Sequence, residues 1–187
     1  GLPVPSVDIK IVDVETGLQE LNQGQDGEIA ASGPPIMLGY WNKPEANKAS
    51  FREIDGKRYL LTGDVGHIDE EGFVVITDRK KDMIIVGGFN VYPKEVEEIL
   101  YAHPKVALAA VVGIPDPRTG EAVKAFVQLK PGAAATEQEI LDFCKDKMAG
   151  YKRPRDVEFR ESLPTSVVGK VLRRVLRDEE VKKMKAG

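Results

Sequence analysis

With one cysteine, Cys144, in 187 residues, the chain can form no internal disulfide, which fits a reducing compartment. Neither that thiol nor His67 or His103 has zinc-type spacing around it, so no metal ligand is expected. No apolar run reaches the roughly 18 residues that span a bilayer, and no signal-peptide pattern is visible, so a cytoplasmic setting is expected. Basic charge is not in excess either: 27 Lys and Arg against 30 Asp and Glu give a net charge of −3, which makes nucleic acid a poor partner. "GGFNVYP" lacks the G-x-G-x-x-G of dinucleotide folds, and no G-x-x-x-x-G-K-[ST] occurs, which excludes a P-loop NTPase. Aromatic residues are few, at 6%, yet 42% hydrophobic residues suffice for a sizeable core. The length suits two compact units as well as one.

What is present has two textures. Residues 7 to about 78 carry short β-like segments, "VDIKIVD", "GEIAAS", "RYLLT", "VGHID" and "FVVITD", parted by Gly, Asp, Asn and Pro clusters. Within them "PEANKASF" reads as a brief helix opened by Pro44. From residue 82 strands and helices alternate. "MIIV" leads to a helix in "PKEVEEILYAH", with Pro93 in its first turn, Glu95, Glu97 and Glu98 favouring its N-terminal dipole, and Val96, Ile99 and Leu100 on one face. Strands follow in "KVALAAVVGIPD" and "EAVKAFVQLK", then a helix in "TEQEILDFCKDKM" with a capping box from Thr136 and Glu139. "DVEFR" reads as a strand and "KVLRRVLRDEEVKKM" as the last helix. In that helix Lys170, Arg173, Arg174 and Arg177 fall on one face and Val171, Leu172, Val175 and Leu176 on the other. The fold class expected is α+β: a β-rich part over residues 1–79 and a small α+β domain over 80–187.

Between the two lies "TDRKKDMIIVGGFN", where five charged residues, Asp78 to Asp82, abut an apolar run ending in paired glycines. Five charges cannot enter a core unpaired, so the run is expected at the surface, as a wet joint between two cores. A plain charged hairpin or linker has the same pattern.

The stretch "YLLTGDVGHIDEEGFVVITDRKKDMIIVGGFNVYPKEVE", with the earlier "GPPIMLGYW" and the later "LPTSVVGKVLRRVLRDE", resembles the C-terminal third of the adenylate-forming acyl-CoA synthetases. That superfamily includes coumarate ligases, luciferases and nonribosomal adenylation domains. Within it, "GYKRPRDVEFRESLPTSVVGKVLRR" is most similar to bacterial long-chain fatty acid:CoA ligases. The resemblance implies activation of a carboxylate by ATP to an acyl adenylate, with CoA as acceptor and magnesium as an aid whose ligands lie outside this chain. Lys170 would be the catalytic cation at the α-phosphate. Asp64 and Arg79 would hold the ribose of ATP or AMP, and Lys81 would be the hinge about which a mobile lid turns. Gly87 and Gly88 would line the pantetheine tunnel for CoA once the lid has rotated; read as structure alone, they mark a turn or bulge.

No phosphate loop or acyl pocket is recognisable, so the chain is expected to be inactive alone and to need its own N-terminal adenylation domain. Two further readings stay open: the lid of an aryl- or medium-chain acyl-CoA ligase, and a non-catalytic nucleotide-binding or interaction module. The basic side chains of Lys145, Lys147, Lys152, Arg153 and Arg155 also leave open a peripheral place on the inner face of the membrane. Cys144 reads as a buried structural thiol, and neither histidine is given a role.

Overall fold

The computed structural model describes residues 1–167 and 169–186. The chain divides into two units, Gly1–Lys81 and Asp82–Gly187.

In the first unit the order is β1 (Asp8–Val12), β2 (Gly27–Ser32), α1 (Pro44–Ser50), β3 (Phe51–Ile54), β4 (Lys57–Ile68) and β5 (Val74–Arg79). They form one antiparallel sheet, β1-β2-β4-β3, with β5 also paired to β4. "RYLLT" and "VGHID", which read as separate segments, are one strand of 12 residues. One edge of β4 is shared in succession: β3 takes Lys57 to Leu60 and β5 takes Asp64 to Ile68. Thr62 and Gly63 fall in the gap between these two partners. Val12, Ala30, Ile54, Tyr59 and Leu61 make the core of this unit.

The charged run does not lie wholly at the surface. Asp78 is only 6% exposed, and its Oδ1 accepts the amide of Arg79 at 2.8 Å. Asp78 follows an irregularity in the β4–β5 pairing that leaves Thr77 without a partner on β4, and its buried carboxylate is stabilised by a backbone N–H. The three residues that follow, Lys80–Asp82, make a single 3₁₀ turn.

The second unit continues with β6 (Ile84–Val86), β7 (Phe89–Val91), α2 (Pro93–Tyr101), β8 (Val106–Asp116), β9 (Gly120–Leu129), α3 (Glu137–Lys145), β10 (Asp156–Phe159) and α4 (Arg173–Ala186). Its sheet runs β10-β9-β6-β7, with β8 on β9 and β10 parallel to β9. The β8–β9 hairpin is covered on both faces. Ala109, Val111, Val123, Ala125 and Val127 meet Val96 and Leu100 of α2 and Ile140 and Cys144 of α3. On the other face Ala110, Val112 and Phe126 meet Leu163 and Leu176. Two-sided burial explains why these strands read as near-continuous apolar runs.

One charge breaks such a run. Lys124 alternates onto the α4 side and is only 6% exposed. Its ammonium lies 2.8 Å from Glu180 of α4 and 2.9 and 3.0 Å from Asp156 and Glu158 of β10. Burial alone would lower the Lys124 pKa, but these carboxylates outweigh it and raise it. Burial likewise favours a protonated Glu158, yet Lys124, Lys183 and Arg160 hold it near 2.

Replacing Lys124 with methionine removes the buried cation shared by three carboxylates and leaves the buried Glu180 with only the more exposed Lys183, a change that costs about 3 kcal/mol. A urea midpoint within error of the native one would contradict this. Because the folded-state pKa of Glu158 lies below that of an unfolded glutamate, its contribution is present above about pH 4.3. It is lost as pH falls toward about 2.

Candidate functional site

The gap on β4 is the first place where the chain can hold a ligand. Gly63 sits at φ +75°, and its amide donates to Glu28 Oε1 at 3.2 Å. Thr62 Oγ1 donates to the carbonyl of Ile29 at 2.8 Å and accepts from the amide of Asp64 at 3.2 Å. The carboxylate of Asp64 is thereby aimed off the strand, with Oδ1 3.2 Å from Nε of Arg79, its cross-strand partner. No partner is present for Asp64 Oδ2 among the described residues. Glu28, buried, also takes the Lys80 ammonium at 2.8 Å, so one carboxylate braces both strands beneath the groove. Thr62, Gly63, Asp64, Arg79, Lys80 and Lys81 line a recess of about 410 Å³. A carboxylate with a free oxygen beside a guanidinium suits a vicinal diol. Three of the residues singled out from sequence, Asp64, Arg79 and Lys81, thus come together, and TGD lies within a strand rather than in a turn.

Gly87 and Gly88 lie in the second unit. They form the two-residue loop of the β6–β7 hairpin, Val86 pairing with Phe89, at φ +57° and +86°. Two left-handed residues in succession define a type I′ turn, for which glycine is favoured. The Gly87 amide donates to the carbonyl of Thr119 at 2.8 Å, tying this turn to the β8–β9 loop. Gly87, Phe89, Thr119, Tyr151, Arg153 and Arg155 are among the residues lining a groove of about 360 Å³. Phe89 and Tyr151 stack with ring centroids 4.7 Å apart. Arg155 is paired with Asp116, whose carboxyl is held near 2, mainly by the Thr119 hydroxyl and with the Thr119 and Arg118 amides and the Arg155 charge also acting. Arg153 donates to the carbonyl of Met148 at 3.2 Å and has no carboxylate partner among the described residues. An aromatic stack beside guanidinium groups can take a base and its phosphates. Sequence reading did not join Phe89 to Tyr151, because nothing local relates residues so far apart.

The basic segment is partly neutralised. Lys152 lies 2.6 Å from Glu95, and Lys147 sits over the Phe143 ring at 4.1 Å.

Lys170 is not in the last helix, which begins at Arg173. The segment from Thr165 to Val171 closes as a small loop on a bridge between those two residues. Ser166 organises it: its amide donates to the Lys170 carbonyl at 2.8 Å and its Oγ accepts the Lys170 amide at 3.2 Å. Gly169 takes φ +77°, and Leu172 N donates to the Pro164 carbonyl at 2.8 Å, which spends the amide a longer helix would need. Val168 of the "SVVGKVL" motif lies outside the described residues. The Lys170 side chain is exposed, shares no lining residue with the Gly87 groove, and has no ion-pair partner among the described residues.

The arginines on the basic face of the last helix are paired with carboxylates. Arg173 pairs with Glu97, Arg177 with Glu121, and Arg174 with Asp178. On the apolar side Leu176 is fully buried, whereas Leu172 and Val175 remain 40% and 39% exposed. Cys144 is buried, which pushes its thiol up and makes it a poor nucleophile. His103, buried edge-on against Phe143, has its pKa lowered by that burial. Among the described residues no group of three or more His, Cys, Asp or Glu could hold a metal ion.

A small α+β unit with a glycine hairpin and a lysine loop thus follows a sheet unit whose edge carries an open carboxylate beside a guanidinium. Residues 95–170 match the family model described as AMP-binding enzyme C-terminal domain. It is 51% identical over 179 residues to a long-chain-fatty-acid–CoA ligase of Escherichia coli O157:H7 and 51% identical over 180 residues to that of Bacillus subtilis strain 168, covering 96% of this chain in each case. The chain spans about a third, 31%, of the length of these curated relatives. The crystal structure of ATP-bound MatB from Rhodopseudomonas palustris matches 96% of this chain and 35% of its own at 42% identity and a TM-score of 0.86.

Proposed function

We propose that this chain is the C-terminal part of a long-chain fatty acid:CoA ligase, working with an N-terminal adenylation domain in one parent protein. The carboxylate oxygen of the acid attacks the α-phosphate of ATP, pyrophosphate leaves, and an acyl adenylate forms. The thiol of CoA then attacks the acyl carbon and AMP leaves. The observation that carries the nucleotide half is the Asp64 carboxylate, with one oxygen on Arg79 and the other open to its groove. That geometry accepts two ribose hydroxyls and sets the α-phosphate in place. Lys170 brings an unpaired ammonium to the negative charge that builds there, an electrostatic role suited to phosphoryl and acyl-phosphate chemistry. Magnesium, held by residues elsewhere in the parent protein, neutralises the phosphates when bound.

For the second step the groove beside Gly87 receives CoA. Phe89 and Tyr151 offer a stacking face, Arg153 and Arg155 offer cations for phosphates, and the glycine turn leaves a path for the thiol. Lys81, in the 3₁₀ turn, is the hinge that exchanges Lys170 for this groove. The identity to long-chain ligases supports the acyl class, and the buried lone thiol supports a cytoplasmic site of action.

The test is AMP release by the intact parent enzyme with ATP, magnesium and CoA against acetate, octanoate, palmitate and coumarate. Palmitate is expected to react best. Preference for another acid would overturn the chain-length assignment and keep the mechanism; no reaction with any would leave a non-catalytic nucleotide-binding module.

A further inference from the structure

Glu97 was expected to serve the dipole of α2, yet it is buried, 8% exposed, and turned into the second unit. Its Oε1 accepts Nε of Arg173 at 2.8 Å, its Oε2 accepts Nη2 of the same guanidinium at 2.5 Å, and Oε1 also takes the amide of Val111 at 2.9 Å. Arg173 Nη1 lies 3.5 Å from Asp82, the residue that follows Lys81. A fork-to-fork pair fixes direction as well as distance, and at this depth it is little screened. Arg173 is the first residue of α4 and stands three positions after Lys170. The bonds made by Ser166 close the lysine loop upon itself, but they do not orient it on the sheet. The Arg173 fork does, by holding the loop's exit to α2, to the middle of β8 and to the segment leaving the hinge.

We infer that Glu97 and Arg173 are positioning residues that set the direction from which Lys170 is presented during adenylation. This rests on the proposed role of Lys170. A displacement of about 1 Å in a catalytic group can cost about 100-fold in rate, so a loosened fork should be felt at Lys170 even though neither partner touches substrate.

The experiment compares Arg173→Lys, Glu97→Gln and Lys170→Ala in the intact parent enzyme, measuring the two half-reactions apart: adenylate formation by pyrophosphate release, and transfer of supplied acyl adenylate to CoA. Arg173→Lys keeps the charge and loses the fork; Glu97→Gln keeps the shape and loses the charge. Each is expected to slow adenylate formation by about 10-fold or more, with KM for ATP little changed and transfer near the native rate. A merely structural role would slow both half-reactions together, and that result, or no effect on either, overturns the inference while a slow Lys170→Ala enzyme leaves the lysine's role standing. A Lys170→Ala enzyme that adenylates at the native rate would overturn both.

Discussion

Lys170→Ala in the intact parent enzyme is expected to slow acyl adenylate formation by about 100- to 1,000-fold, the loss typical of removing one preorganised charge stabiliser. Transfer of supplied acyl adenylate to CoA should stay near the native rate. Lys170 differs from several other lysines of the chain. Lys80 is spent on Glu28, Lys124 on Glu180, Asp156 and Glu158, and Lys152 on Glu95. Lys170 is exposed, on a loop closed by a bridge and two Ser166 bonds, with its ammonium unpaired among the described residues. A loop so organised around a free cation gains nothing in stability from that cation. Its removal should therefore leave the unfolding midpoint unchanged, so a rate loss reports on chemistry. Arginine at the same place keeps the charge on a longer, planar group, and only partial recovery is expected. Measuring each half-reaction separately decides the matter: equal losses in both would remove Lys170 from the adenylation step.

Features held by neighbours in sequence were legible, and those held by distant partners were not. The cap Thr136, the helix-opening Pro93 and the strands β8 and β9 all follow from local chemistry, and each stands where it was expected. Even the capping box is only half present: Thr136 accepts the Glu139 amide, while the Glu139 carboxylate turns to Lys105 at 2.7 Å. The apolar period of "VLRRVL" extends upstream through Val171 and so suggested a helix from Lys170. What stops it is the bridge from Thr165 to Val171 and the bond from Leu172 to Pro164, neither of which shows in a helical pattern. The charge of Asp78 suggests a solvated place, and its burial comes from the irregular pairing of β5 with β4, which a run of charges does not reveal. Lys124 could not be read as buried, since its partners come from 32 to 56 positions away, Asp156 and Glu180 being the nearest and farthest. At the site the residues of the first groove were legible by resemblance, but the brace beneath them was not. Glu28 lies 35 positions before Gly63 and 52 before Lys80, and only the sheet brings the three together.

Gly88→Leu should reverse the pattern of Lys170→Ala, with adenylate formation kept and transfer to CoA slowed by about 100-fold, the loss expected when a reacting group is held out of place. The structure allows the backbone cost to be separated from the steric one. A Cβ at Gly88 would meet nothing within 4 Å, so the first atom of a side chain finds open space there. The left-handed φ of +86° remains unfavourable for any L side chain, at about 1–2 kcal/mol. That strain falls on a hairpin turn and should lower the unfolding midpoint slightly without reaching Lys170, whose loop has its own bonds. Gly88→Asn is the matched control, because asparagine tolerates the left-handed region and keeps the turn while still adding a small side chain. If strain in the turn were the cause, asparagine would restore transfer almost fully. If obstruction of the thiol's path is the cause, asparagine should recover part of the rate and leucine little, in the order of side-chain size. Loss of both half-reactions together in the leucine enzyme would confine Gly88 to its part in the hairpin.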